Sequence, residues 1–183
     1  MNRRRILLLA PLGFAGLAGA GAWSILARMR EGRFDPHDVP SQLIGKPVPQ
    51  FAAMPPLDPA AAGFSSDDLA RGPLLVNFFA SWCVPCIIEA PALMTLSRGG
   101  FPIWGIAYKD KPEATRTFLA RHGNPYARIA LDEPGRVAIE WGVYGVPESY
   151  LLDRNGVVRW RQAGPVTPDI LDQQLRPMLR SIA

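Results

Sequence analysis

The feature that narrows the possible folds most is a pair of cysteines, the only two in 183 residues, standing as Cys83-Val84-Pro85-Cys86. The apolar run Leu74–Phe79 precedes them by three residues and suits a short buried strand, while residues 84–97 carry apolar side chains suited to a helix. A strand that passes into a helix through such a pair places Cys83 at or near the helix N-terminus. There the positive end of the helix dipole and the free N–H groups favour thiolate over thiol. Cys86, one turn further in, is expected to be the more buried of the two. Thiol exchange uses that difference, because an exposed sulfur attacks a disulfide and a shielded one resolves the mixed species.

The rest of the chain after residue 43 supports an α/β architecture. Ile103–Tyr108 reads as a strand, Glu113–Arg121 as a helix entered after Pro112, Ala127–Leu131 as a strand and Arg136–Trp141 as a short helix. Ser149–Asp153 and Val157–Gln162 read as strands joined through Arg154-Asn155-Gly156, an Asn-Gly hairpin signal. Thr167–Ile182 closes the chain as a helix, with Thr167 at the N-cap and Pro168 at the first helical position. Alternating strands and helices followed by a hairpin and a helix predict a central mixed sheet with helices on both faces. Trp104, Trp141 and Trp160 fit this plan as core or hairpin aromatics.

The N-terminus is different in kind. Residues 6–27 contain no charge over 22 positions, long enough to span a bilayer at 1.5 Å per residue. Pro11 and the glycines at 13, 16, 19 and 21 weaken a soluble helix but are tolerated in a membrane one, and Trp23 sits near the outer end. The expected layout is a cytoplasmic end at 1–5, a transmembrane signal-anchor at 6–27, a Pro-containing tether at 28–42 and a folded domain at 43–183, opened by extended pieces around Val48–Ala52. The alternative is a cleaved secretory signal, with Ile6–Leu17 as its apolar core and Ala18-Gly19-Ala20 as the cleavage site. Both readings put residues from about 34 onward outside the cytoplasm.

Charge follows the same division. The chain carries a formal +4, but residues 1–33 hold six of its 20 basic and one of its 16 acidic side chains, which leaves the remainder at −1. The basic character belongs to the flanks of the apolar segment, and a nucleic-acid partner loses its main support.

Other uses of the cysteines fit less well. A structural bridge between residues three apart closes a tiny loop and removes little entropy from the unfolded chain. A zinc site would need both histidines, yet His37 lies in the tether and His122 stands outside any H-x-x-x-H spacing. Covalent haem attachment needs a histidine after the second cysteine, where this chain has Ile87.

Ala80-Ser81-Trp82-Cys83-Val84-Pro85-Cys86, with Glu89 and Pro91 further along, resembles the thioredoxin superfamily. Gly105-Ile106-Ala107-Tyr108-Lys109-Asp110, Gly123-Asn124-Pro125-Tyr126 and Gly142-Val143-Tyr144-Gly145-Val146-Pro147-Glu148-Ser149-Tyr150 narrow the match. So do Leu151-Leu152-Asp153-Arg154-Asn155-Gly156 and Gly164. Over roughly residues 43–180 the chain is similar to the membrane-anchored CcmG/DsbE branch of thiol:disulfide interchange proteins of cytochrome c biogenesis.

The resemblance implies a thioredoxin-like fold, Cys83 as the attacking cysteine, Cys86 as the resolving one and Pro147 as a cis-proline facing them, beside the active-site neighbours Trp82, Val84 and Pro85. Asn77 stands where thioredoxins carry a buried aspartate. An amide cannot accept a thiol proton, so Glu89, three residues after Cys86 on the same helix face, is the first candidate acceptor and Glu148 the second. The implied function is a dithiol reductant on the periplasmic side of the bacterial inner membrane. Its implied partners are apocytochrome c, or the maturation protein presenting it, and a membrane electron donor of the DsbD/CcdA type. Direct thiol exchange implies no cofactor and no metal in this chain. Two other functions share the features: a general periplasmic disulfide oxidase or isomerase, and a non-catalytic haem- or apoprotein-binding module.

Overall fold

The computed structural model describes residues 16–24, 26–27 and 41–182. The chain divides at residue 40 into two units. In the first, residues 16–24 and 26–27 are helical. The remainder of the apolar segment expected to span a membrane lies outside the described residues. Among those described, no helix is long and apolar enough to cross a membrane.

The second unit is built on a five-stranded mixed sheet. The strands are β1 (Leu74–Phe79), β2 (Ile103–Tyr108), β3 (Arg128–Asp132), β4 (Glu148–Leu152) and β5 (Val158–Ala163). Their order is β3-β2-β1-β4-β5. β1 and β2 pair in parallel, as do β2 and β3, whereas β4 runs antiparallel to both β1 and β5. The helices are α1 (Val84–Arg98), α2 (Pro112–His122), α3 (Arg136–Glu140) and a terminal α4, which runs as Pro168–Ile170, a π-helical turn Leu171–Leu175 and Arg176–Ile182.

Strand periodicity explains the layers. Every residue of β1 is buried, and successive side chains alternate between its faces. Leu74, Val76 and Phe78 enter one core with Phe64, Leu69, Trp141, Tyr150 and the short α3. Leu75 packs on the other face against Leu93 and Leu96 of α1 and Leu171 and Leu175 of α4, and Phe79 joins Phe118 and Leu119 of α2 on that face. Asn77 lies between Leu75 and Phe79 and therefore shares their face, under α1.

The expected elements are present with small shifts. β4 starts at Glu148 and stops before Asp153, because the Asp153 carboxylate leaves the strand to accept from the N–H groups of Asn155 (2.8 Å) and Val157 (3.1 Å) and so closes the hairpin turn. β3 and β5 each begin one residue later than their patterns indicate. Thr167 caps α4 by accepting from Ile170 N–H. The π turn in α4 leaves no mark in the spacing of apolar residues.

The segment before β1 contributes isolated bridges. Lys46 and Gly45 exchange backbone hydrogen bonds with Val158 at the start of β5, and Pro47 bridges Val157. Further along, Leu57 N–H donates to Ile129 and Pro55 accepts from Leu131, so the same segment reaches β3.

Gly105, in register with Asn77 across the β1–β2 pair, leaves the space in which the rings of Phe79 and Tyr126 stack at 4.6 Å. A Cβ at Gly105 would stand 2.8 Å from Phe79 and 3.0 Å from Tyr126. Gly105→Ala is therefore expected to destabilise the oxidised protein by about 1–3 kcal/mol through overpacking. Gly145→Ala, whose added Cβ meets nothing within 4 Å, serves as the silent control; denaturant melts of the two variants check the difference.

Candidate active site

Cys83 and Cys86 form a disulfide (S–S 2.11 Å, Cα–Cα 5.4 Å) at the start of α1. Cys83 is the N-cap residue, with extended backbone, and its Sγ accepts from the Cys86 N–H at 3.1 Å. Pro85 falls in the first helical turn, where a missing N–H removes no intrahelical bond. The expected difference in burial is absent: each cysteine is 3% exposed in the disulfide form. Both cysteines belong to one buried cluster with Phe79, Ala80, Ala107, Phe118 and Leu131, against which Val146 packs. The asymmetry between the cysteines is one of position, since Cys83 caps the helix and Cys86 lies within it.

The loop before Cys83 is tied to the end of β2. Buried Asp110 accepts from Ser81 N–H (2.6 Å), Ser81 Oγ (2.8 Å), Lys111 N–H (2.9 Å) and Thr115 Oγ (3.0 Å). Trp82 is not a core residue. It is 57% exposed, and its indole N–H donates to the Lys109 carbonyl at 3.3 Å. Val84, Ile88 and Tyr144 are exposed as well.

Beneath α1, four elements meet in a polar node. Asn77 Nδ2 donates to Glu89 Oε1 and to Ser149 Oγ, each at 3.0 Å. The Ser149 contact follows from register, because Asn77 and Ser149 are directly paired on β1 and β4. Tyr126 Oη donates to Asn77 Oδ1 at 2.7 Å, and Val166 N–H donates to Glu89 Oε2 at 3.1 Å. Glu89 is 1% exposed, on the helix stripe that also buries Cys86, Ala90, Leu93 and Leu96. Burial raises its pKa to about 8, against the opposing donors Val166 and Asn77.

Glu148 sits in different company. The bond between Val146 and Pro147 is cis, and the next carboxylate accepts from Arg161 Nε at 2.5 Å and from the Tyr150 hydroxyl. Arg161 lies under the exposed Tyr144 ring, 5.3 Å from its centroid, and Gly164 N–H holds the Pro147 carbonyl at 2.9 Å. The two acidic residues thus differ in chemistry: Glu148 is held by a guanidinium, Glu89 by neutral donors.

The sequence-derived residues Asn77, Cys83, Cys86 and Glu89 share the α1 face of the sheet, while Glu148 alternates to the other face with Tyr150. Tyr126, Ser149, Asp110 and Arg161 were not individually foreseen. A polar residue at a strand position opposite Asn77 marks Ser149, but only once the register is known. Among the described residues, no three His, Cys, Asp or Glu side chains form a cluster able to hold a metal ion.

The Redoxin family signature matches residues 43–175. The thiol:disulfide interchange protein HelX of Rhodobacter capsulatus is 38% identical over 179 residues, covering 97% of this chain and 97% of that protein. Thiol:disulfide interchange protein DsbE of Escherichia coli K12 is 38% identical over 177 residues, covering 96% and 94% respectively. A crystal structure assigned as a DsbE from Chlorobium tepidum superposes with a TM-score of 0.62 at 25% identity, covering 76% of this chain and 98% of that one. A disulfide at a strand–helix junction, with a cis-proline loop packed beside it, agrees with what these relatives are named for: the chain belongs to the Redoxin family, as a DsbE-type thiol:disulfide interchange protein of the thioredoxin superfamily.

Proposed function

We propose that this protein is a periplasmic dithiol reductant of cytochrome c maturation. The observation that carries the reading is the Cys83–Cys86 disulfide at the N-terminus of α1, above a buried carboxyl group whose hydrogen-bond donors among the described residues are neutral. In the reduced form, the Cys86 N–H and the helix dipole favour a Cys83 thiolate. That thiolate attacks a disulfide in the partner and expels one partner thiolate, giving a mixed disulfide. Cys86 then loses its proton and attacks Cys83 Sγ, which releases the second partner thiolate. The partner gains two electrons and two protons, and this chain is left as its disulfide.

Glu89 is the group suited to take the Cys86 proton. It lies one turn along the same helix stripe, and its raised pKa places proton uptake near neutral pH. Glu148 is already committed to Arg161 and Tyr150, and in this reading it fixes the cis-Pro147 loop against which partner backbone is laid. Trp82, Val84, Ile88 and Tyr144 offer that partner an apolar rim, with Pro85 shaping the turn between the cysteines.

The partner class, apocytochrome c or the maturation protein that presents its cysteines, rests on the resemblance to the CcmG/DsbE branch. Re-reduction by a DsbD/CcdA-type membrane donor rests on the same ground. A single-pass anchor at 6–27 and a tether at 28–42 would hold domain 43–183 at the periplasmic face of the inner membrane. The uncharged stretch with flanking arginines supports this layout, and the alignment to the Rhodobacter capsulatus relative, spanning 97% of the chain, takes in that segment.

Cys86→Ser in the native membrane is expected to accumulate a Cys83 mixed disulfide with cytochrome maturation components, and Cys83→Ser to accumulate none. Capture of many unrelated secreted proteins instead would replace this reading with that of a general oxidase or isomerase. For Glu89→Gln, single-turnover exchange should slow by about tenfold or more and lose its pH dependence around pH 8; stopped-flow thiol kinetics across pH 6–9 measures it. Stability should respond with a defined sign. Folded Glu89 keeps its proton up to about pH 8, whereas an unfolded glutamate releases it near 4.5. The resulting contribution, on the order of a few kcal/mol, is complete below pH 4.5 and is lost as pH rises toward 8. Denaturant melts of the oxidised protein should therefore show Glu89→Gln gaining on the wild type between pH 5 and pH 8.

A further inference from the structure

A carboxyl group sealed from water can change protonation cheaply only if its neighbours suit both forms. Around Glu89 one neighbour is fixed and one is not. Val166 N–H is a backbone donor to Oε2 at 3.1 Å and can be nothing else. Asn77 is an amide, whose C=O and NH2 ends have nearly the same shape but opposite hydrogen-bonding character. Which end meets Glu89 is decided by the other partners of the amide, Ser149 at its NH2 and Tyr126 at its Oδ1. The Ser149 hydroxyl both donates and accepts, so it fits either orientation. Tyr126 is the group that discriminates, because a phenol is a stronger donor and a weaker acceptor than an aliphatic hydroxyl, and its hydroxyl donates to Asn77 Oδ1 at 2.7 Å. Burial, and then the nearby Glu89, push the Tyr126 phenol well above its ordinary range, so its O–H stays available as a donor.

We propose that Tyr126 is a positioning residue for Glu89: by donating to Asn77 Oδ1 it holds the amide with its NH2 edge toward the carboxyl group. With the amide so held, both oxygens of Glu89 receive N–H donors, which favours the carboxylate against the burial that opposes it. Without the phenol O–H, the amide is free to turn its Oδ1 toward Glu89, an arrangement that suits only the protonated acid. Geometry supplies the means. Gly105 leaves the sheet surface open opposite Asn77, and the ring stack on Phe79 holds Tyr126 in that opening. The groups facing Glu89 are Asn77 from β1, Ser149 from β4, Tyr126 from the segment before β3, the Val166 N–H before α4, and Cys86 on its own helix. Of these only Tyr126 carries a titratable group in the disulfide form, Cys86 being bonded to Cys83. Glu148 alternates to the opposite face of the sheet with Tyr150, its hydrogen-bond partner. The proposal rests on the reading of Glu89 as the proton-exchanging group beneath the disulfide.

The test uses the full chain in its disulfide form, where no cysteine titrates, with 13C-labelled glutamate carboxyl groups followed by NMR and Glu89→Gln to assign the signal. Tyr126→Phe, which retains the ring stack, should raise the Glu89 midpoint by about one pH unit, leaving roughly tenfold fewer carboxylates at a given pH below it. An unchanged or lowered midpoint overturns the proposal. A second measurement needs no variant. In the wild type, the Asn77 side-chain N–H signals should exchange slowly with solvent and move with the Glu89 titration, and signals indifferent to it would sink the assignment. Loss of the Glu89 reading shows elsewhere, as unaltered pH dependence of thiol exchange in Glu89→Gln, so the two ideas fail separately.

Discussion

A carboxyl group without a cation in a protein core is costly, and here the active-site face of the sheet is arranged around one. Glu89 sits on the buried stripe of α1, where Leu93 and Leu96 supply ordinary packing. Its two oxygens are met by an amide from β1 and a backbone N–H from the approach to α4. The identities of four residues follow from that demand. Asn77 has to be an amide, Ser149 a small hydroxyl in register with it, Gly105 a residue without a side chain, and Tyr126 a phenol long enough to reach across. An apolar residue at any of the three polar positions would leave a buried donor or acceptor unmatched.

The second acidic residue shows that burial alone does not decide chemistry. Glu148 is as inaccessible as Glu89, yet its carboxylate is taken by Arg161 and Tyr150 on the opposite face of the sheet. An ion pair with a bonded guanidinium fixes geometry, whereas a carboxyl group among neutral donors remains able to exchange a proton. The two buried glutamates thereby differ in partners, an ion pair with Arg161 for Glu148 and neutral N–H donors for Glu89.

Much of the scaffold was legible in the residues. Leu74–Phe79 and Ile103–Tyr108 coincide with their strands, since short apolar runs bounded by breakers leave little freedom. The N-cap at Thr167 and the Asn-Gly turn before Val157 carry local chemistry of their own. The helix stripe from Cys86 to Glu89 was equally readable, because three positions of spacing is a local fact. What escaped depends on contacts distant in sequence. Tyr126 lies 49 residues from Asn77, and nothing in a Gly-Asn-Pro-Tyr segment says which amide its hydroxyl will find. The equal burial of the cysteines escaped for the same reason, since Leu131, Phe118 and Val146 cover them from other elements. Arg161 alternates with neighbours on a hairpin strand and acquires its meaning only from the cis-proline loop opposite.

The segment before β1 has one more bearing. By bonding to the start of β5 through Gly45 and Lys46, and to β3 through Pro55 and Leu57, it occupies backbone at both outer strands of the sheet. Sheet margins left open recruit foreign strands, either as aggregates or as bound peptides. With these two margins partly occupied by its own chain, the sheet leaves a foreign strand less backbone to pair with. It is also guarded against joining copies of itself.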